Sequence, residues 1–144
     1  MSSEFPVTIT IPVRFNDLDP FGHVNNVSMI TYLEEARGAY CQKLFENENF
    51  DNVYDYFPFV IANISYNFER PVFYPDQVEV GIRISKIGTK SMTMDYALRS
   101  LKQNKQVGTG QTVAVMFNHQ SQKSINIPDD LRQKIANLQK NSSF

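Results

Sequence analysis

The sequence predicts an α+β fold in which an antiparallel sheet wraps around one long helix. The first observation is one long stretch of helical periodicity, at about 27–46. The second is that one strand-like segment precedes this stretch and about four follow it. The third is that no internal repeat, linker or low-complexity tract divides the sequence. We therefore expect a single domain over 1–144, with a core at about 5–126 and a short helix at about 128–140.

The first predicted strand covers residues 7–15. Its odd-numbered positions are all apolar, and a period of two is typical of a strand with one buried face. Pro12 has no backbone N–H to offer a neighbouring strand. The segment is therefore expected at the edge of a sheet or at a bulge.

The predicted helix has apolar residues at intervals of three and four. These residues are Ile30, Leu33, Ala36, Tyr40 and Leu44. Asn25 or Asn26 is a good N-cap, because a short side-chain oxygen can accept the unpaired N–H groups of the first turn. The loop before the helix therefore leads directly into a helix N-terminus.

The rest of the chain predicts further strands and a final helix. Alternating apolar residues mark strands at 64–68, 78–84, 92–98 and 107–117. Bends and turns lie between them, so we expect a strand meander. The segment 47–58 is predicted to be a structured loop or a short helical turn. Asp129 and Asp130 lie where they would face the positive end of the last helix.

The composition argues against several classes of partner and location. Fourteen basic and 15 acidic residues are scattered along the chain, so there is no basic stripe for nucleic acid. The single Cys41 cannot form an intrachain disulfide, and the first residues lack the pattern of a secretory signal. No apolar run approaches the roughly 20 residues that span a bilayer. We expect a soluble, cytoplasmic protein that binds any lipid-like substrate internally.

Several kinds of catalytic site are also disfavoured. Two histidines and one cysteine are too few for a typical zinc site, and we expect no metal at Asp17, Asp19 and His23. The sequence has no Gly-x-Ser-x-Gly elbow and no phosphate-binding glycine loop. Cys41 follows Tyr40 within the predicted helix, where a buried structural thiol is expected.

The residues capable of catalysis concentrate in the loop at 14–26. It contains Asp17, Asp19, Gly22 and one of the two histidines, His23. A carboxylate beside a helix start can act as a general base on water, or attack a carbonyl to form an anhydride. The free N–H groups of the helix start can hold an oxyanion, which suits ester or thioester hydrolysis. Alternatively, the two acids form Asx-turns and the asparagines only cap the helix.

Two motifs in this part of the chain carry a family resemblance. They are Asp17-Leu18-Asp19-Pro20-Phe21-Gly22-His23-Val24-Asn25-Asn26 and Tyr32-Leu33-Glu34-Glu35-Ala36-Arg37. Two later stretches support them, Tyr66-Asn67-Phe68-Glu69-Arg70-Pro71 and Asp76-Gln77-Val78-Glu79-Val80. Over about 5–126 the sequence resembles the hotdog-fold acyl-CoA thioesterases, in the subgroup that includes 4-hydroxybenzoyl-CoA thioesterase. The resemblance implies a hotdog fold and hydrolysis of acyl-CoA to a free acid and coenzyme A, without a cofactor.

The same resemblance implies roles for individual residues. The second acid of the Asp-x-Asp pair, Asp19, is the catalytic carboxylate and acts as general base or nucleophile, whereas Asp17 is supporting. The backbone N–H of Asn26 holds the thioester oxygen. Gly22 lets the backbone approach the thioester closely. His23 orients Asp19 or water, or only forms a hydrogen bond within the loop.

The resemblance further implies a homodimer or homotetramer with active sites at the interface between protomers, where the pantetheine of coenzyme A passes. Cations near turns are candidates for the coenzyme A phosphates, although each of them also fits a solvated surface residue. The candidate substrate-binding residues are Asp17, Asn25, Tyr32, Arg70, Lys86 and Lys90.

Three other functions compete with this interpretation. The first is a hotdog protein that binds an acyl thioester without hydrolysing it, and the second is a thioesterase for acyl carrier protein. The third is a hotdog dehydratase, which by resemblance would favour a different spacing from that of Asp19 and His23. The length and type of the acyl group stay open, because the pocket depends on packing between protomers.

Overall fold

The computed structural model describes residues 4–140. Its main elements are β1 (Val7–Pro12), α1 (Asn26–Leu44), β2 (Phe59–Phe68), β3 (Gln77–Ile87), β4 (Ser91–Ser100), β5 (Lys105–Asn118), β6 (Lys123–Ser124) and α2 (Asp129–Gln139). Short 3-10 turns at Phe15–Asp17 and Val53–Asp55 precede α1 and β2. The predicted α+β order is confirmed over the described residues, and residues 1–3 and 141–144 of the predicted domain lie outside them.

Five strands form one antiparallel sheet in the order β1-β3-β4-β5-β2, and β6 pairs with the end of β5. The predicted meander holds for β3, β4 and β5. It is wrong for β2, which pairs with β5 at the far side of the sheet rather than with β3. Alternating apolar residues specify that a segment is a strand, but the neighbour is decided by packing over the whole sheet.

Strand β1 occupies the other edge of the sheet, as the proline at its end predicts. Ile9 lies opposite Val80 of β3, and Pro12 is the last residue of the strand. The strand ends three residues earlier than predicted because Phe15–Asp17 turns into a 3-10 helix. That turn redirects the chain toward the start of α1.

The core lies between α1 and the sheet face that carries the even-numbered residues of β3 and β4. Its fully buried strand residues include Val78, Val80, Ile82, Met92, Met94 and Leu98. The helix contributes the buried residues Met29, Tyr32, Leu33, Ala36, Tyr40, Cys41 and Leu44. The predicted helix face is therefore confirmed except at Ile30, which is only partly buried and whose place is taken by Met29.

Helix α1 begins at Asn26, and Asn25 is its N-cap. The Asn25 side chain accepts the N–H of Ser28 at 2.8 Å, and its backbone is extended, with φ −70° and ψ 158°. This arrangement satisfies one of the donors that a helix start leaves unpaired. The predicted cap is confirmed, and it holds the first turn of α1 directly after the loop.

Candidate active site

The loop between β1 and α1 folds back on itself and is tied to the segment 69–76. The Asp19 N–H donates to the His23 carbonyl at 2.9 Å, and Leu18 and Val24 form an isolated bridge. The Val24 N–H donates to the carbonyl of Val72 at 2.8 Å. The loop is therefore held against the connection between β2 and β3, next to the N-terminus of α1.

Asp17 is buried and its carboxylate is fully engaged. It accepts the Arg14 N–H at 2.9 Å, the Arg14 guanidinium at 3.0 Å and the Tyr32 hydroxyl at 2.7 Å. Burial raises the pKa of Asp17, but the hydrogen bonds from Tyr32 and Arg14 outweigh it and bring this pKa below the ordinary value. The carboxylate thus links the loop to α1.

Asp19 lies two residues further and is partly open to solvent. Its Oδ1 accepts the N–H of Phe21 at 2.9 Å, which forms an Asx-turn. Its Oδ2 lies 3.5 Å from Nδ1 of His23, and 23% of the side chain is exposed. The Asx-turn expected under the alternative, purely structural hypothesis is therefore present, and it engages Oδ1 but not Oδ2. Gly22 enables the tight turn because its φ of +90° is one that side chains rarely tolerate.

The start of α1 presents backbone donors directly after the loop that carries Asp19. Asn25 accepts the N–H of Ser28 through its side chain and that of Met29, at 3.2 Å, through its carbonyl. Within residues 4–140, the N–H groups of Asn26 and Val27 have no acceptor. Donors of this kind, with the positive end of the helix dipole behind them, can stabilise a developing oxyanion.

Aromatic rings surround His23 at the surface of the loop. The ring of Phe21 stacks on His23 with 6.4 Å between centroids, and Phe73 meets it edge-on at 6.2 Å. The Phe21 side chain is 84% exposed. Phe73 is not predicted from the sequence as part of the site, because no local pattern connects it with a loop fifty residues earlier.

The three predicted phosphate-binding cations do not lie together. The Arg70 N–H donates to the carbonyl of Val107, at the end of the sheet that carries the loop. The backbone carbonyl of Lys90 accepts the N–H of Met116 near the other end of β5, and Lys86 lies at that end of the sheet, near the end of β3. About nine residues of β5 separate the two ends, on the order of 30 Å. A single chain therefore brings only Arg70 near the loop.

Other predicted features of the chain lie away from this loop. Cys41 is buried, as predicted, and burial raises the pKa of its thiol to about 12. Within residues 4–140, no three His, Cys, Asp or Glu side chains lie close enough to hold a metal ion. None of the helices in the same range is long and apolar enough to cross a membrane.

The chain is similar in sequence to known proteins. A family model described as the thioesterase-like superfamily matches residues 13–135. The chain belongs to the thioesterase-like superfamily. This thioesterase is 29% identical to the Bacillus subtilis protein YsmA over 126 residues, which cover 87% of this chain and 82% of YsmA. It is 26% identical to the long-chain acyl-CoA thioesterase FadM of Escherichia coli over 132 residues, which cover 90% of this chain and 97% of FadM.

One solved structure matches the fold of this chain over nearly its whole length. It is a Thermus thermophilus thioesterase complexed with coenzyme A and zinc, with a TM-score of 0.84 and 31% identity over 95% of this chain and 96% of that chain. The α+β architecture is therefore the hotdog fold, as the resemblance of the sequence motifs implies. The protein is an enzyme of the thioesterase class.

Proposed function

We propose that this thioesterase hydrolyses an acyl-CoA thioester to a free carboxylic acid and coenzyme A at the Asp19 loop. The observation that carries the proposal is the partly exposed Asp19 carboxylate, with Oδ2 outside the Asx-turn, in the loop that leads directly into the unpaired N–H groups at the start of α1. A carboxylate and an oxyanion site are the minimum that thioester hydrolysis requires. The similarity to a long-chain acyl-CoA thioesterase and to a thioesterase that binds coenzyme A supports this substrate class.

As a general base, Asp19 takes a proton from water, and the water oxygen bonds to the thioester carbon. The N–H of Asn26 donates to the oxyanion of the tetrahedral intermediate. When the C–S bond breaks, the thiolate leaves and takes the proton held by Asp19. As a nucleophile, Asp19 instead attacks the thioester carbon and expels the coenzyme A thiolate, and water then cleaves the resulting mixed anhydride. His23 is a positioning residue in both routes, since its Nδ1 faces Oδ2 of Asp19.

The positions of the predicted substrate-binding residues in the fold give them different roles in this proposal. Arg70 is the cation that we retain for the coenzyme A phosphates, because it lies at the same end of the sheet as the loop. Lys86 and Lys90 contribute only where another protomer brings them to that end. Asn25 and Tyr32 act indirectly, since one caps α1 and the other binds Asp17.

We also propose that the active enzyme is a homodimer or homotetramer. Strand β2 has a neighbour on one side only within residues 4–140, so the backbone groups along its other side are open to a second copy. Apolar side chains on this strand, including Val60, Ile64 and Phe68, are between 37% and 49% exposed in the single chain. Pairing of two copies along β2 would cover both features.

The test is thiol release from acyl-CoAs that range from acetyl to palmitoyl and include benzoyl thioesters. Asp19→Asn removes the base, and we expect turnover to fall by about 10²- to 10⁴-fold while acyl-CoA binding is retained. The matched control is Asp129→Asn, which changes an exposed acid on α2 and should leave turnover at the wild-type level. Equal turnover of Asp19→Asn and wild type would contradict the assignment of the base.

Thiol release and acyl-CoA binding together distinguish two of the competing functions. Thiol release from an acyl carrier protein thioester but from no acyl-CoA would show that the substrate is the carrier protein thioester. Binding of acyl-CoA without release from any thioester would favour the non-catalytic interpretation, against which the accessible Asp19 carboxylate argues.

A further inference from the structure

The connection between β2 and β3 is tied at two points to the segment that joins β1 to α1. The Val24 N–H donates to the carbonyl of Val72 at 2.8 Å, and the Val13 N–H donates to the carbonyl of Asp76 at 3.0 Å. The three valines are buried, each with 5% of its surface or less exposed. The residues between the two ties, 73–75, therefore have a fixed place beside the loop.

Phe73 is the first residue of this tied segment, and its ring meets the imidazole of His23. The two ring centroids are 6.2 Å apart and the planes cross at 82°, an edge-to-face arrangement that aromatic rings favour. The ring of Phe21 lies nearly parallel to the same imidazole, at an angle of 22°. Phe21 is 84% exposed, whereas Phe73 is 47% exposed. Phe73 is therefore the better anchored of the two rings that contact His23.

The orientation of the His23 ring decides what faces the free oxygen of Asp19. The Asp19 N–H donates to the His23 carbonyl at 2.9 Å, so the backbones of the two residues are already joined. The Nδ1–Oδ2 distance of 3.5 Å therefore depends on the rotamers of the two side chains. Oδ1 of Asp19 is held by the Phe21 N–H, whereas Oδ2 has only the imidazole beside it.

We propose that Phe73 is a positioning residue for hydrolysis, which acts through His23 on the Asp19 carboxylate. Its ring restricts the imidazole to the rotamer in which Nδ1 faces Oδ2, and this contact in turn orients the carboxylate toward the reacting atoms. A reacting group displaced by about 1 Å can lose about 10²-fold in rate. The inference rests on the proposed acyl-CoA hydrolysis and adds to it a residue from a distant segment of the chain.

The test measures kcat and KM for thiol release from the acyl-CoA that the wild type hydrolyses fastest. Phe73→Ala should lower kcat by about 10- to 100-fold and leave KM within about twofold of wild type, because positioning affects the chemical step. Phe73→Tyr keeps an aromatic ring and should restore kcat. The matched control is Phe15→Ala, which breaks the similar edge-on pair of Phe15 and Tyr74 and should keep the wild-type kcat.

A double-mutant cycle shows whether the effect passes through His23. His23→Ala removes the intermediate ring, so adding Phe73→Ala to it should cause no further loss of kcat. The same loss in the His23→Ala background as in the wild-type background would overturn the proposal. So would a wild-type kcat in Phe73→Ala, a change confined to KM, or an equal loss of kcat in Phe15→Ala.

Two further measurements keep the proposal testable. If Phe73→Ala does not fold, Phe73→Leu provides the same comparison, because leucine is apolar but has no ring edge. The nitrogen NMR shift of His23 Nδ1 is independent of turnover: Asp19→Asn should change it in the wild-type background and change it less in the Phe73→Ala background. Equal changes would overturn the proposal. Failure of the proposed hydrolysis is separate, since it would appear as no thiol release from any acyl-CoA by the wild type, whatever the NMR result.

Discussion

Asp17 and Asp19 are chemically identical residues two positions apart, and their surroundings make them different. Asp17 is buried among donors from Arg14 and Tyr32. Asp19 has a single backbone donor on Oδ1, and its Oδ2 faces a partly exposed histidine. A carboxylate with every oxygen engaged is poorly suited to take a proton from water, so the structural role falls on Asp17 and the proposed catalytic role on Asp19.

Asp17→Asn should destabilise the protein in a pH-dependent way. The folded pKa of Asp17 is below its ordinary value of 3.8, so its stabilisation is present above about pH 4 and is lost as the pH falls through the folded pKa. We expect the free energy of unfolding to fall by about 3 kcal/mol at pH 7, because the donors of Arg14 and Tyr32 lose a charged acceptor. Urea unfolding at pH 7 and pH 3 measures the difference, which should shrink at the lower pH.

Asp19→Asn serves as the comparison for that experiment, since Asp19 is partly exposed and accepts one hydrogen bond from Phe21. We expect its unfolding free energy to stay within about 1 kcal/mol of wild type at both pH values. If the two variants lose the same stability, the contrast between the two carboxylates is wrong.

At the scale of elements, the first turn of α1 connects stability with the proposed catalysis. Asn25→Ala removes the cap and should lower the free energy of unfolding by about 1 kcal/mol. Since the cap also fixes the direction of the Asn26 N–H, kcat should fall as well. Asn25→Asp can accept the same Ser28 N–H and should restore both.

Thermal unfolding and thiol release test this prediction together. A stability loss in Asn25→Ala with unchanged kcat would show that the cap does not position the oxyanion donor.

At the scale of the whole molecule, the open side of β2 predicts association. Sedimentation velocity of the wild type should show a dimer or tetramer at micromolar concentration. Ile64→Lys places a charge on an apolar, 42% exposed position of β2 and should shift the protein toward monomers. Val53→Lys, at a 62% exposed site outside the sheet, is the control. A wild type that sediments as a monomer would contradict the proposed assembly.

Local patterns predicted much of this molecule correctly. The helix and its cap at Asn25, the strands and the edge position of Pro12 are confirmed, because burial on one face and unpaired backbone donors impose their periodicity on nearby residues. The loop with Asp19 lies next to the helix start because the two segments adjoin in the sequence.

By itself the sequence determined the α+β class, the helix with its cap and the loop that carries Asp19. Only the tertiary structure decided that β2 pairs with β5, that Phe73 meets His23, that Lys86 and Lys90 lie far from the loop, and that Tyr66 covers Gly108. The physical reason is that these contacts join residues far apart in the chain. Packing of the whole sheet selects these contacts, and no local periodicity in the sequence indicates them.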